Sequence, residues 1–248
     1  MQGSLHVFPD LPALAIAGAR FISDLLSRAM HQRGTATIVL SGGSTPRSIY
    51  ERLGTTEGSD ALDWSGVHFF WGDERCGPPD SPESNYHMAN HAFLNRVGIS
   101  ESNIHRMMAE RDPAEAALLY EQEIRSFFGI TERQIPAFDV VLLGLGEDGH
   151  TASLFPGSPV LDERQKLVST VTAGKFPTRR MTLTFPAINQ ARDIIFFVAG
   201  ITKAEILRSV LEGSGTRYPA QLVAPAGGNL HWFADREAAS LLSVGVQS

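Results

Sequence analysis

Residues 138–151 read Phe-Asp-Val-Val-Leu-Leu-Gly-Leu-Gly-Glu-Asp-Gly-His-Thr, an apolar run that ends in a glycine-rich turn with two acids and a histidine. A continuous apolar run of this kind is typical of a strand buried on both faces, as in a parallel sheet. The turn then lies at the carboxyl end of that strand, where open α/β sheets bind their ligands. Histidine moves protons near neutral pH, and Asp148 stands two residues from His150, where it could orient the ring. The stretch therefore predicts the place where chemistry occurs.

Similar apolar runs alternate with stretches of helical periodicity along the rest of the chain. The alternation predicts an α/β fold, with a parallel sheet flanked by helices on both faces. Because nothing marks a domain boundary, we expect residues 1–248 to form one domain. The predicted strands are 37–40, 67–71, 140–145, 181–185, 194–199 and 221–223, the predicted helices 11–33, 46–53, 85–93, 113–128 and 203–211, and the predicted loops or turns 103–113, 157–178 and 213–218.

The composition of the 248 residues is that of an ordinary globular protein, long enough to bury a full core. The net charge of −6 argues against nucleic acid or an anionic membrane as a partner, although binding of a small anion depends on local charge. The single cysteine, Cys76, cannot form an internal disulfide, which predicts a reducing compartment such as the cytoplasm. The apolar segment 11–19 is similar to a signal-peptide core, but no positive residue precedes it, and a surface-packed helix is favoured.

A glycine-rich segment between the first predicted strand and the next predicted helix reads Ser-Gly-Gly-Ser-Thr-Pro. Gly42 and Gly43 permit an anion to approach backbone N–H groups, and the helix dipole favours negative charge there. Ser44 or Thr45 could cap the helix, and Pro46 fits its first position. The segment can serve as a phosphate cradle, although it lacks the Gly-Lys-Ser/Thr ending of a Walker loop. A structural turn with an ordinary N-cap is the alternative.

Charged residues stand beside three other predicted strands. Residues 73–75, Asp-Glu-Arg, come directly after a buried run and suggest the rim of a site, although a solvated loop with a local ion pair explains them as well. Arg179 and Arg180 precede a strand, and Lys203 opens a helix. Any of these three cations could reach a phosphate at the carboxyl edge of the sheet, or could simply lie on the surface.

Three further motifs favour other functions only weakly. Residues 144–149 match the dinucleotide pattern G-x-G-x-x-G, but Pro156 cuts short the long helix that such a site requires. His87 and His91 have the spacing of a zinc pair, but no third ligand is evident, and we predict no metal. The chain has no G-x-S-x-G elbow, which argues against a serine hydrolase.

Taken together, these motifs resemble the 6-phosphogluconolactonase family, in the superfamily that includes glucosamine-6-phosphate deaminase/isomerase. The resemblance covers nearly the whole chain and implies a modified Rossmann-like single domain. It also implies hydrolysis of a phosphorylated sugar lactone in the pentose phosphate pathway, without a metal or nucleotide cofactor. A monomer and a small homo-oligomer both remain open. The segments that carry the resemblance are 41–46, 71–75, 84–86, 144–156, 180–184 and 232–235.

The resemblance implies roles for individual residues. His150 is the catalytic acid/base, Asp73 matches an active-site acid, and Asp148 matches the acid of the Asp-Gly-His turn. The remaining matches are residues of the phosphate loop and cations that face the substrate or its phosphate. They are Gly43, Ser44 and Thr45, with Gly42 beside them, and Arg75, Arg180 and Lys203.

A δ-lactone is an activated ester, so its hydrolysis needs a base that deprotonates water and no covalent nucleophile. We expect neutral His150 to take this proton and then return it to the departing ring oxygen, while Arg75 stabilises the developing oxyanion. Two other functions stay open: the isomerase/deaminase of the same superfamily, and a sugar-phosphate sensor without turnover. The deaminase pattern has an Asn-Glu-Pro segment after its histidine turn. Residues 152–156 of this chain contain no carboxylate there, which favours the lactonase.

Overall fold

The computed structural model describes residues 3–55, 62–173, 178–215 and 218–243. It contains a six-stranded parallel sheet and a three-stranded antiparallel sheet. The strands are β1 (Ser4–Phe8), β2 (Ala36–Leu40), β3 (Val67–Trp71), β4 (Asp73–Arg75), β5 (Val140–Gly144), β6 (Val168–Ala173), β7 (Thr178–Leu183), β8 (Asp193–Val198) and β9 (Asn229–Asp235). The helices are α1 (Leu11–Arg33), α2 (Ser44–Leu53), α3 (Asn85–Ala89, followed by a π-helical turn), α4 (Pro113–Phe128), α5 (Phe185–Asn189) and α6 (Ala204–Glu212).

The parallel sheet has the strand order β1-β9-β8-β5-β2-β3, with every neighbouring pair parallel. Strands β2, β5 and β8 lie inside it and are almost wholly buried, which is why their residues are mostly apolar. The predicted α/β fold with a parallel sheet is confirmed. None of the helices within the described ranges is long and apolar enough to cross a bilayer.

Helices cover both faces of this sheet, as two adjacent residues of β3 illustrate. The ring of Phe69 contacts Phe93 on the α2–α3 side, with centroids 5.8 Å apart. The next residue, Phe70, points to the opposite face and contacts Phe127 of α4 at 5.3 Å. Successive side chains of a strand alternate between faces, so both layers of helices pack on apolar surface. The buried apolar side chains of both sheets form one cluster, and we interpret the chain as a single domain.

The small antiparallel sheet grows from the carboxyl end of β3. Gly72 follows β3 and begins the turn into β4. Its backbone N–H donates to Leu40 O of the parallel sheet, and its carbonyl oxygen accepts from Leu183 N–H of the small sheet. Strand β4 pairs with β7, and β7 pairs with β6. The second sheet therefore stands over the carboxyl edge of the first, where the predicted site residues lie.

Several predicted elements are wrong. No strand forms at the predicted positions 221–223, because residues 219–222 form a 3₁₀ turn, in which Gln221 N–H donates to Tyr218 O and Val223 N–H donates to Ala220 O. The predicted loop 157–178 contains strand β6, and positions 174–177, like 216–217 of the predicted turn 213–218, lie outside the described residues. Strands β1 and β9 were not predicted, because polar residues interrupt the apolar pattern in both of them.

Candidate active site

A cleft opens at the carboxyl edge of the parallel sheet, where the loops after β2, β5 and β8 meet the small sheet. Nine of the ten predicted site residues line it, and the tenth, Asp148, hydrogen-bonds to one of them. The lining comprises Ser41, Gly42, Gly43, Ser44, Thr45, Pro46, Asp73, Arg75, Asn85, Gly144, Leu145, Gly146, His150, Ala152, Arg180, Phe197, Val198, Ala199 and Lys203.

The histidine turn after β5 is tightly folded. Gly146 N–H donates to His150 O at 2.9 Å, and Gly149 N–H donates to Gly146 O at 2.9 Å. Gly149 has φ +78°, and a side chain there would also collide with Tyr218. A side chain on Gly146 would overlap the His150 ring. Both glycines are therefore needed to bring the imidazole to the cleft.

Asp148 fixes the orientation of the His150 ring. Its Oδ1 lies 2.5 Å from His150 Nδ1 and also accepts the His150 backbone N–H at 3.1 Å. Burial would raise the pKa of Asp148, but the hydrogen bonds and charge of His150 outweigh burial and lower it. Since an ionised carboxylate only accepts hydrogen bonds, Nδ1 must be the donor. In the neutral ring, Nε2 is then the acceptor, the form that a general base requires.

The aromatic ring of Phe155 lies close to both the histidine and a cation. Its centroid is 4.5 Å from that of His150 and 5.7 Å from Cζ of Arg180. Apolar contact on one side of the imidazole limits its rotation without supplying a competing hydrogen bond.

The predicted phosphate loop leads into helix α2 in a different way from the prediction. Gly43, with φ +107°, is the N-cap, and no side chain caps the helix. Ser44 and Thr45 are its first two residues and Pro46 its third, so the predicted Ser/Thr cap and the predicted place of Pro46 are wrong. The first intrahelical bond is Arg47 N–H to Gly43 O. The preceding N–H groups are left for an anion at the positive end of the helix.

Tyr50 ties this loop to the helix. Its hydroxyl accepts from Ser41 N–H at 2.9 Å and donates to Ser41 O at 3.0 Å. The side chain is fully buried, and burial raises the pKa of Tyr50 far above its ordinary value. The phenol therefore stays protonated and serves as both donor and acceptor to one backbone position.

Two arginines stand side by side on the small sheet. Arg75 of β4 and Arg180 of β7 are direct cross-strand partners, an arrangement that normally destabilises a sheet. Burial lowers the pKa of the Arg180 guanidinium, and the charge of Arg75 lowers it further. Their Nε atoms are buried and have no partner in the described part of the chain. Two partly desolvated cations side by side fit a ligand that carries negative charge.

Asp73 lies at the base of the cleft and is 5% exposed. Its Oδ2 accepts from Ser153 Oγ at 2.6 Å, and its Oδ1 accepts from Asn85 Nδ2 at 3.0 Å. Arg180 Nη1 lies 3.9 Å from Oδ2. Both oxygens of this predicted site acid are thus engaged by neighbouring side chains.

Lys203 lines the far side of the cleft, in a 3₁₀ turn just before α6. The turn is fixed by Asp235 at the end of β9, whose Oδ2 accepts the Gly200 N–H at 2.9 Å. The polar end of the 232–235 segment therefore has a structural role in presenting the lysine.

Other candidate residues lie apart from the cleft lining. Glu147 and Arg179 are exposed, and Cys76 is half-buried, with burial raising the pKa of its thiol. His87 and His91 lie one turn apart at α3, with ring centroids 4.0 Å apart. Across the described ranges, no group of three His, Cys, Asp or Glu side chains is arranged to hold a metal ion.

Residue-by-residue reasoning did not assign roles to Asn85, Ser153 and Glu74. All three are polar and almost fully buried. The Glu74 carboxylate accepts bonds from the Ser84 hydroxyl and from three backbone N–H groups, those of residues 75, 85 and 86. The available signal was the proximity of these residues to the motifs, since each lies within or beside one.

Known proteins of one family are similar to this chain over most of its length. The profile of a family described as glucosamine-6-phosphate isomerases/6-phosphogluconolactonase matches residues 9–232. A 6-phosphogluconolactonase from Synechocystis sp. is 43% identical over 220 residues, which are 88% of this chain and 89% of the relative. The solved 6-phosphogluconolactonase of Trypanosoma brucei has a TM-score of 0.86 and 29% identity, covering 98% of this chain and 99% of that one. A solved monomeric glucosamine-6-phosphate deaminase has a TM-score of 0.81 over 96% and 99% of the chains, at 23% identity, a likeness of fold alone.

Proposed function

The chain belongs to the family of glucosamine-6-phosphate isomerases and 6-phosphogluconolactonases, and we propose that it hydrolyses 6-phospho-D-glucono-1,5-lactone to 6-phospho-D-gluconate. The similarity to 6-phosphogluconolactonases spans most of both chains. One observation carries the mechanism: Asp148 holds His150 in the tautomer whose Nε2 is free to accept a proton, in a cleft that also holds paired arginines.

The first step is attack by water on the lactone carbonyl. His150 Nε2 takes one proton from the water as its oxygen bonds to the carbonyl carbon, and the carbonyl oxygen becomes an oxyanion. Asp148 stabilises the imidazolium that results, because its carboxylate lies 2.5 Å from Nδ1. General base catalysis of this kind contributes about 10²–10⁴-fold.

The second step opens the ring. The oxyanion reforms the carbonyl, the bond from that carbon to the ring oxygen breaks, and the imidazolium gives its proton to the departing oxygen. His150 returns to its neutral form, and the product is a hydroxy acid that loses its carboxyl proton to solvent. No group other than water is consumed.

We assign stabilisation of the oxyanion to Arg75. Its Nη1 is held by Glu83 O at 2.6 Å and by Asn85 Oδ1 at 2.5 Å. This leaves Nη2 without a partner among the described residues and free to donate to the substrate. A fixed donor aimed at developing charge needs little reorganisation during the reaction.

In this proposal the phosphate is bound by the start of α2, by Lys203 and by Arg180. Backbone N–H groups at the helix N-terminus and two cations match the charge of a phosphate dianion. Binding remote from the reacting carbonyl orients the lactone toward His150.

The test is release of 6-phosphogluconate from freshly made lactone, measured against spontaneous hydrolysis. We expect protein-dependent release, and we expect His150→Ala to lose about 10²-fold or more in kcat while keeping the fold. His87→Ala is the matched control, since His87 lies outside the cleft lining. Wild-type turnover in the His150 variant would remove this residue from the mechanism, and no turnover in the native protein would refute the function.

A further inference from the structure

A continuous chain of hydrogen bonds connects the histidine turn to Arg75. It begins at Ser153, three residues after His150, whose hydroxyl donates to Asp73 Oδ2 at 2.6 Å. It continues from Asp73 Oδ1 to Asn85 Nδ2 at 3.0 Å and ends where Asn85 Oδ1 accepts from Arg75 Nη1 at 2.5 Å. From these contacts we infer that Ser153 and Asn85 are positioning residues, which hold Arg75 in register with His150 through the Asp73 carboxylate.

The two ends of this chain belong to different parts of the fold. His150 and Ser153 follow β5 of the parallel sheet, whereas Arg75 ends β4 of the small sheet. A general base and an oxyanion donor must be held within a fraction of an ångström of the productive geometry. A rigid connection between the two sheets would keep His150 and Arg75 in that geometry.

The two links made to the Asp73 carboxylate are buried. Ser153 is 0% and Asn85 1% exposed, so neither can exchange its partner for water. Asn85 Nδ2 donates to both Asp73 O and Asp73 Oδ1, which forces its Oδ1 toward the arginine. The backbone N–H of Asn85 is held by the buried Glu74 carboxylate at 2.8 Å.

Gly42 of the phosphate loop makes room for this amide. A side chain on Gly42 would overlap Asn85 Oδ1. The glycine is therefore required for the hydrogen-bond chain as well as for approach of an anion. The phosphate loop and the oxyanion donor are packed against one another at this point.

The chain also defines what Asp73 does. With both oxygens accepting hydrogen bonds and its carboxylate nearly inaccessible, Asp73 is poorly placed to exchange protons with a substrate. Its carboxylate accepts hydrogen bonds from both Asn85 and Ser153 and so connects them. Its negative charge offsets part of the charge of Arg180 beside it. Asp73 is accordingly a positioning residue.

The inference rests on the proposed lactone hydrolysis for its kinetic test, which is a double-mutant cycle. Ser153→Ala should lower kcat by about 10- to 100-fold with little change in KM, because Arg75 acts on the transition state. In an Arg75→Ala background the same change should cost less than about 3-fold, since there is no guanidinium left to position. Ser23→Ala, at a buried serine of α1, is the matched control.

The cycle is repeated with Asn85→Ala, so that the inference can still be tested if the Ser153 variant folds poorly. Losses that multiply in both cycles would overturn the inference, since a merely structural role costs the same in either background.

A readout without turnover separates this failure from failure of the proposed function. In ¹⁵N-arginine NMR, hindered rotation of the Arg75 guanidinium should be detectable in the native protein and lost in Ser153→Ala. Unchanged rotation would refute the positioning role even if no lactone were hydrolysed.

Discussion

Asp148 Oδ1 lies 2.5 Å from His150 Nδ1, and this contact leaves Nε2 as the imidazole nitrogen that can accept a proton. We predict that Asp148→Asn lowers kcat by about 10-fold or more, because an amide can no longer select the tautomer or stabilise the imidazolium. The measurement is kcat for lactone hydrolysis near pH 7. Glu147→Gln, at the exposed neighbouring acid, is the control and should retain native kcat.

The same contact predicts a small effect on stability. A carboxylate whose folded pKa is lowered stabilises the fold above its unfolded pKa, and the contribution is lost as the pH falls through the lowered value. The Asp148 side chain is 54% exposed, so solvent screens the pair. Thermal unfolding of Asp148→Asn should therefore nearly match the native protein at pH 7, and a large loss of stability would show that the aspartate is structural.

The two cations assigned to the phosphate, Arg180 and Lys203, predict a loss that depends on the substrate. Arg180→Ala and Lys203→Ala should each raise KM by roughly 10- to 150-fold, the equivalent of a charge-assisted hydrogen bond of about 1.5–3 kcal/mol. The loss should shrink for a lactone that lacks the phosphate. Arg179→Ala is the control, because this neighbouring arginine is exposed and lies outside the cleft lining. Equal losses on both lactones would show that the two residues do not bind the phosphate.

The hydrogen bonds of Tyr50 to the predicted phosphate loop give a fourth prediction. Tyr50→Phe leaves the N–H and C=O of Ser41 without their buried partner, which should cost about 1–3 kcal/mol of unfolding free energy. It should also raise KM, because the loop that holds the phosphate loses its anchor. Tyr120 makes the same pair of bonds to the backbone of Trp71, so Tyr120→Phe provides a matched comparison. We expect a similar loss of stability there without the rise in KM, and identical kinetics in both variants would refute the loop's role.

The sequence predicted the central strands and long helices well because each carries a strong local signal. Strands β2, β5 and β8 are mostly apolar, and α1 and α4 match their predicted bounds. Strand β1 lies at the sheet edge and is only partly buried, so its residues need not be apolar. Its place depends on pairing with β9, more than 200 residues away along the chain, which no local pattern records.

Only those residues of the candidate site that carry a local signal could be predicted from the sequence. His150, Arg75 and the phosphate loop stand in motifs whose residue types carry chemistry. Asn85 and Ser153 act through contacts made in space, between residues 10 and 80 positions apart. The cross-strand approach of Arg75 and Arg180 likewise depends on the pairing of β4 with β7. Such relations belong to the fold, and spacing along the chain does not reveal them.

The last prediction separates the two reactions known in this family. Deamination of glucosamine 6-phosphate requires a base that moves a proton between C2 and C1, in addition to an acid–base group at the ring oxygen. Asp73 has both oxygens occupied and is 5% exposed, Glu147 is exposed outside the cleft lining, and residues 152–156 contain no carboxylate. His150 therefore has Asp148 as its acidic partner. This pair is sufficient to activate water, but no further acid–base group is available for the second proton transfer that deamination requires. We predict lactone hydrolysis and no ammonia release when the protein is incubated with glucosamine 6-phosphate. Protein-dependent ammonia production that His150→Ala abolishes would favour the deaminase and contradict the proposed function.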